Sequence, residues 1–383
     1  MESIKQMINR LCPNSVKFAQ IGDICTVGTG SGNRQDATED GRYPFFVRSK
    51  EVLLNDNYEF DEEAILIPGE GGIGDIFHYY NGKYALHQRT YRIHPTSDEI
   101  NTKFLYYYMF ANFKKFILMK AVSATVTSIR KPMIETFEIP IPPMEVQNRI
   151  VEVLDKMTAL TAELEAELEA RKQQYEYYRN KLLTFNDLGG GIKQVIWKKI
   201  SEIAQFPKAR IKSEMLTVDT YVGVESLIKN RGGKTSSSSV PEGVAIEFLP
   251  QDILIGNIRP YLKKIWLSDC QGGTNGDVVT IRVIDTNEIL PRFLYYILAS
   301  DMFFDYDNSH AKGGKMPRGD KNAILAYNVP VPSIEEQERI VSILDRFEAL
   351  TTDLQIGLPA EIEARRQQYE YYRNKLLTFE QAA

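Results

Sequence analysis

Along residues 151–182 the apolar positions Val151, Leu154, Met157, Leu160, Leu164, Leu168, Tyr175, Tyr178 and Leu182 recur at steps of three, four or seven. That spacing lays one apolar stripe along an α-helix. Val341, Leu344, Phe347, Leu350, Leu354, Leu358, Ile362, Tyr369, Tyr372 and Leu376 repeat it near the C-terminus. Each run predicts a helix of about 40 residues, roughly 60 Å at about 1.5 Å per residue. A stripe this long needs cover, and the economical cover is the other copy, in an antiparallel coiled coil. Ser333 and Glu336 have capping-box spacing at the start of the second run, while Gly357 and Pro359 are placed to break or kink it.

The segments before the helices have a different rhythm. "AILIPGEGGIGDIF" and "DILIGNIRPYLKKIW" are short β-rich runs punctuated by Gly and Pro, whereas "NTKFLYYYMFANFKKFIL" and "LPRFLYYILASDMFFDY" read as amphipathic helices. Each predicts a mixed globule. The chain also repeats itself: Ile139 to Leu164 aligns with Val329 to Leu354 with 13 of 26 positions identical, and "RKQQYEYYRNKLLTF" from Arg171 returns from Arg365 with one change. The expected fold class is α+β, two similar α/β globules and two long helices in a pseudo-twofold duplication. The expected divisions are 1–143 (globule), 144–186 (central helical spacer), 187–332 (globule) and 333–383 (distal helical spacer).

Composition adds limits. The three cysteines share no motif spacing, and the charged N-terminus "MESIKQMINRLCPNSVKF" lacks an apolar core, which together point to a reducing cytoplasm. The net charge of −5 argues against a nucleic-acid binder until its distribution is read: residues 334–383 alone hold 6 basic and 10 acidic residues. Local basic loops elsewhere can still form a positive face. Catalytic signatures are missing. "GGKT" at Gly232 imitates the end of a phosphate-binding loop, but Ile228 stands where the first glycine belongs; no proline precedes an aspartate as restriction nucleases require, and "IPPM" lacks the polar residue of the amino-methyltransferase signature. A catalytic chain with an unrecognised motif and a coiled-coil scaffold without a nucleic-acid role stay open as alternatives.

The pattern "IPxPPxxxQxxIVxxLD" followed by "ARxQQYEYYRxKLLTF", present twice after dissimilar globules, resembles the specificity (S) subunit of type I restriction-modification systems over essentially the whole chain. The resemblance implies two target-recognition domains, each reading one half of a bipartite, asymmetric site in double-stranded DNA. It implies helices that set the gap and dock two methyltransferase subunits, with two restriction subunits in the full complex. It implies no cofactor in this chain: S-adenosylmethionine is bound by the methyltransferase partners, and ATP and Mg by restriction subunits where present. "LTAELEAELEARKQ" looks like the tetrapeptide spacer of some members. Candidate DNA contacts follow from residue chemistry: Gln and Asn can bond adenine and Arg guanine, while cations beside small residues suit phosphates. They are Arg34 in "GTGSGNRQD" (or this is a plain solvent loop), Gln88 and Arg89 in "LHQRTYRI", and Ser128, Arg130 and Lys131 in "SIRKP". The second half offers Asn257, Arg259 and Lys263 in "GNIRPYLKK", Asn275 in "TNGDVV", and Lys312, Lys315 and Arg318 in "HAKGGKMPRGDK". Tyr177 and Arg179, with their copies Tyr371 and Arg373, are expected off the stripe and so on the partner surface.

Overall fold

The computed structural model describes residues 4–11, 15–72, 74–120, 128–185, 195–352 and 357–380. Two compact units share the chain: Met1–Glu165 with Glu361–Ala383, and Ala166–Ala360.

The first unit opens with α1 (Ile4–Leu11), β1 (Lys17–Gln20), α2 (Ile21–Ile24), β2 (Cys25–Thr29), β3 (Tyr43–Phe46), β4 (Val52–Asn55), β5 (Phe60–Pro68), β6 (His78–Leu86) and β7 (Thr90–Pro95). It continues through α3 (Thr102–Lys120), α4 (Lys131–Glu135), β8 (Glu138–Ile141) and the start of α5 (Met144–Leu183). Six strands pair in the order β2-β7-β5-β6-β3-β4, and β1 pairs with β8. All neighbours are antiparallel except β3 and β6. The apolar run Ala64–Ile67 in β5 is fully buried because strands flank it and Phe104, Leu105 and Phe113 of α3 belong to the core on one face.

The second unit contains the end of α5, β9 (Ile196–Lys199), α6 (Ile200–Ile203), β10 (Ala204–Gln205), β11 (Arg210–Lys212), β12 (Tyr221–Val222), β13 (Val244–Phe248), β14 (Ile253–Gly256), β15 (Ile265–Leu267), β16 (Gly272–Thr274) and β17 (Val278–Val283). Then come α7 (Pro291–Leu298), α8 (Asp301–His310), α9 (Lys321–Ala326), β18 (Asn328–Val331) and α10 (Ile334–Thr352). The sheets run β10-β17-β14-β15 and β11-β13-β16-β12, with β18 on β9. Here too one pair, β12 with β16, is parallel. The single helix expected over "LPRFLYYILASDMFFDY" is two, because Ser300 caps α8 with its hydroxyl oxygen accepting from the Phe303 N–H.

The central helix has the expected 40 residues. The distal one is broken as expected: α10 ends at Thr352 and α11 (Leu358–Leu376) begins next to Gly357. Leu354 and the rest of 353–356 lie outside the described residues. At the start of α10 the Ser333 hydroxyl accepts from the Glu336 N–H at 3.4 Å. Within the first unit α11 lies antiparallel to α5, since Tyr369 meets Thr158 while Arg366, one turn earlier, pairs with Glu165 at 2.5 Å. Within the second, Tyr175 and Tyr178 of α5 pack on Phe347 of α10.

Both helix starts are fastened by one device. Gln147, fully buried, donates from Nε2 to the Glu99 and Pro142 carbonyls and accepts the Asn101 N–H at 2.8 Å. Gln337, equally buried, does the same with Glu288, Pro332 and Leu290. Two turns on, Asp155 accepts from Tyr107 and Lys103 of α3, and Asp345 accepts from Tyr296 and Arg292 of α7. The repeated Gln and Asp of the sequence motif therefore lock each globule to its helix.

Candidate nucleic-acid interface

In each unit three loops converge through the same main-chain bonds. In the first, Gly69, just past β5, donates to the Arg89 carbonyl at 2.8 Å and accepts from the Ile129 N–H at 2.7 Å. In the second, Asn257, just past β14, donates to the Asp277 carbonyl at 2.9 Å and accepts from the Gly319 N–H at 3.0 Å. The knot joins a strand end, a tight turn between two strands, and the loop preceding α4 or α9. Gln88, Arg89, Ser128, Arg130 and Lys131 are thereby brought together, as are Asn275, Lys312, Lys315 and Arg318. Ordered backbone hydrogen bonds hold the loops at their bases, as a reading surface requires.

The side chains differ in what they have to offer. Arg130 is exposed at the N-cap of α4, and Lys131 pairs with Glu135 at 3.4 Å. Ser128 is half-buried. Gln88 donates to the Asn33 side chain at 2.6 Å, and its N–H to the Gly32 carbonyl, which draws the loop carrying exposed Arg34 beside the knot. The neutral His87 ring supports this turn by accepting the Arg89 N–H on Nδ1. Burial, with Arg48 and Arg89 nearby, holds its pKa below the usual histidine range. In the second unit Arg318 pairs with Asp277 at 3.0 Å and Lys312 with Asp320, while exposed Lys315 has no ion-pair partner among the described residues. The side-chain Oδ1 of Asn275 accepts from the Asp277 N–H at 3.0 Å within its turn.

Several expectations change. The glycines of "GTGSGNRQD" serve internal packing: a Cβ on Gly30 would lie 2.0 Å from the Leu86 carbonyl oxygen and one on Gly32 3.0 Å from the Phe45 ring. Asn257 is buried rather than presented. Arg259 and Lys263 both take the left-handed conformation (φ 54° and 50°), Arg259 donating its N–H to Pro317. Lys263 is held at 2.5 Å by Asp301, which also takes Arg231. These three organise the loops from within. Arg179 is likewise buried, over the Tyr175 ring and between Glu176 and Asp301, because a residue four after Tyr175 shares its helix face. Arg373 repeats the turn inward, over Tyr369 and Phe110. Tyr177 and Tyr371 do stand out, each edge-on to its neighbouring tyrosine at 5.3 Å with a lysine over the ring.

Sequence reasoning passed over Arg48 and Glu70. Glu70 Oε2 accepts from Arg89 at 2.8 Å and from Arg48 at 3.2 Å, at the rim of the first knot. Their signal was faint, single charges after strand-like runs. Among the described residues no group of three or more His, Cys, Asp or Glu could hold a metal, and no helix is long and apolar enough to cross a membrane.

Comparisons with known proteins bear on the family and the fold. The chain is 31% identical over 259 residues to the EcoR124I/EcoR124II specificity subunit of Escherichia coli, which covers 62% of this chain and 60% of that protein. It is 26% identical to the EcoDI specificity subunit of Escherichia coli, covering 88% of this chain and 82% of the relative. Its fold matches the crystal structure of the type I restriction-modification S subunit from M. genitalium with a TM-score of 0.60, at 16% identity and covering 95% and 97% of the two chains. Residues 13–171 and 252–364, most of both halves, match the family described as type I restriction modification DNA specificity domain, and the chain belongs to that family.

Proposed function

We propose that this chain is the DNA-reading, non-catalytic subunit of a type I restriction-modification complex, with 1–143 and 187–332 as target-recognition domains. The observation that carries the reading is the duplicated knot. Two globules with the same backbone junction but different side chains suit an asymmetric bipartite site, as paired domains suit paired half-sites. The contacts are Arg34, Gln88, Arg89, Ser128, Arg130 and Lys131 for one half and Asn275, Lys312, Lys315 and Arg318 for the other. The helices 144–186 and 333–383 act as spacers. Tyr177 and Tyr371, an exposed aromatic surface written twice, dock two methyltransferase subunits, which supply S-adenosylmethionine; restriction subunits, where present, supply ATP and Mg chemistry in the cytoplasm. The test is the methylome of a host carrying the chain and its partner methyltransferase, compared with a host lacking this chain alone. A two-part adenine-methylated motif that vanishes with the chain is expected; an unchanged methylome overturns the proposal.

A further inference from the structure

The Arg48, Glu70, Arg89 cluster poses a problem of charge. A carboxylate stands beside the loops that approach a polyanion, where it weakens attraction to every phosphate nearby. It stays ionised, because the hydrogen bond from Arg89 holds its pKa below the usual range, with the charges of Arg89 and Arg48 adding to the effect. Stability does not explain it. All three side chains are well exposed, and exposed ion pairs contribute little to folding.

Geometry suggests another use. One oxygen, Glu70 Oε2, accepts an N–H from each guanidinium, so each arginine is committed at one donor and keeps the rest of its fork. The two arginines also stand on fastened backbone. Arg48 follows β3, whose Phe46 carbonyl accepts the His87 N–H at 3.0 Å, and Arg89 is in the turn held by Gly69. A long side chain pre-set in this way loses less entropy when it binds, and an Arg fork matches O6 and N7 of guanine. At the equivalent place the second unit has no such arginine. There β12 pairs in parallel with β16 as β3 does with β6, which places Val224 where the first unit has Arg48.

We propose that Arg48 and Arg89 are paired guanine-reading residues for the half-site of the first unit, and that Glu70 is the positioning residue that aims them. This rests on the DNA-reading function above. It assigns a specificity role to two residues, Arg48 and Glu70, that no sequence motif marks.

The experiment is methylome sequencing of hosts carrying the partner methyltransferase with the wild-type chain, Arg48→Ala, Glu70→Ala or Glu70→Gln. A bipartite motif in the wild type secures the underlying function independently; no such motif would overturn that function instead. Arg48→Ala should relax one base pair of one half-site, with discrimination falling roughly 10- to 100-fold, as the loss of one bidentate contact does. Glu70→Ala should relax two positions in that half and leave the other half untouched. Glu70→Gln, which keeps an acceptor oxygen, should lie between. Thermal unfolding of the purified complex should be unmoved in all three. Either an unaltered motif in Arg48→Ala or equal weakening on every sequence overturns the proposal. So does a change at one position only in Glu70→Ala while Arg48→Ala is silent, since Glu70 would then itself be reading a cytosine amino group.

Discussion

Ile129 and Gly319 occupy the same place in the two knots, each donating its N–H to the residue after the central strand. Ile129 plugs the first knot with a buried apolar side chain that joins the core containing Phe113 and Ile117. Gly319 leaves room for polar atoms instead: a Cβ there would lie 2.6 Å from Asp307 Oδ1 and 2.7 Å from Asn257 Oδ1. Asp307 is fully buried, and neither its carboxylate oxygens nor Asn257 Oδ1 has a hydrogen-bond partner among the described residues. The backbone of the knot is thus kept while its filling differs. Polar filling without partners costs stability that apolar filling does not. The first unit has a well-packed knot with its charged cluster outside, and the second stores an unsatisfied carboxylate within.

The largest test of this equivalence lies at the clamps. Gln147→Ala and Gln337→Ala each remove the partner of three backbone groups, one of them the carbonyl of a buried proline, and should each cost about 3 kcal/mol. Hydrogen exchange resolved by segment should show each loss confined to its own unit. A large effect from only one glutamine would end the claim that the two junctions are energetically alike.

How much of this could be read from the chain depends on whether the signal is periodic or tertiary. The stripe from Val151 to Leu182 and the recurrence of the tyrosine phrase are local patterns, and they yielded α5, α10, α11 and the duplication. That the loops before α4 and α9 occupy one place in both halves was legible because cations beside small residues recur there, and the structure joins both loops to the knot by the same main-chain bond. The ion pair of Lys263 with Asp301 was not legible, because Asp301 lies on a helix that the sequence does not connect to it. Arg179 was legible in principle, being four residues past Tyr175 on a buried face. Gln147 and Gln337 stood out as identical positions, but nothing local says that a glutamine will satisfy three backbone groups.

The buried carboxylate provides a smaller and opposite effect. Burial pushes the Asp307 carboxyl up from 3.8 to about 6, with Asp320 pushing the same way and His310 opposing. Between these values the folded state holds a proton that the unfolded state has lost. Stability from this group is therefore complete below about pH 4 and is lost as pH rises through about 6. Asp307→Asn removes the dependence by removing the ionisable group. It should stabilise the second unit above pH 6 by on the order of 2 kcal/mol and leave it nearly unchanged at pH 4. Urea unfolding at the two pH values measures this. Destabilisation at both would show that the polar filling is satisfied in the native protein and that the knots differ less than they look.

The smallest effect on folding belongs to Lys315, which lies exposed in the loop between Lys312 and Arg318. Those two are held by Asp320 and Asp277, so Lys315 alone in this loop keeps an uncommitted charge among the described residues. An unpaired ammonium at a loop tip is a point charge with no fixed fork, suited to a phosphate rather than a base edge. Lys315→Ala should therefore leave unfolding within about 0.5 kcal/mol of wild type. In the assembled complex it should weaken binding on matched and mismatched duplexes alike, and lower the slope of log affinity against log salt by about 0.9, the value of one released counterion. Arg318→Ala is the contrast, since its guanidinium is aimed by Asp277 as those of Arg48 and Arg89 are aimed by Glu70. It should relax one base position with less change in slope. If both variants shift the slope equally and leave the recognised sequence intact, the second unit reads its half-site with other side chains, and the resemblance between the two reading ends stops at their backbone.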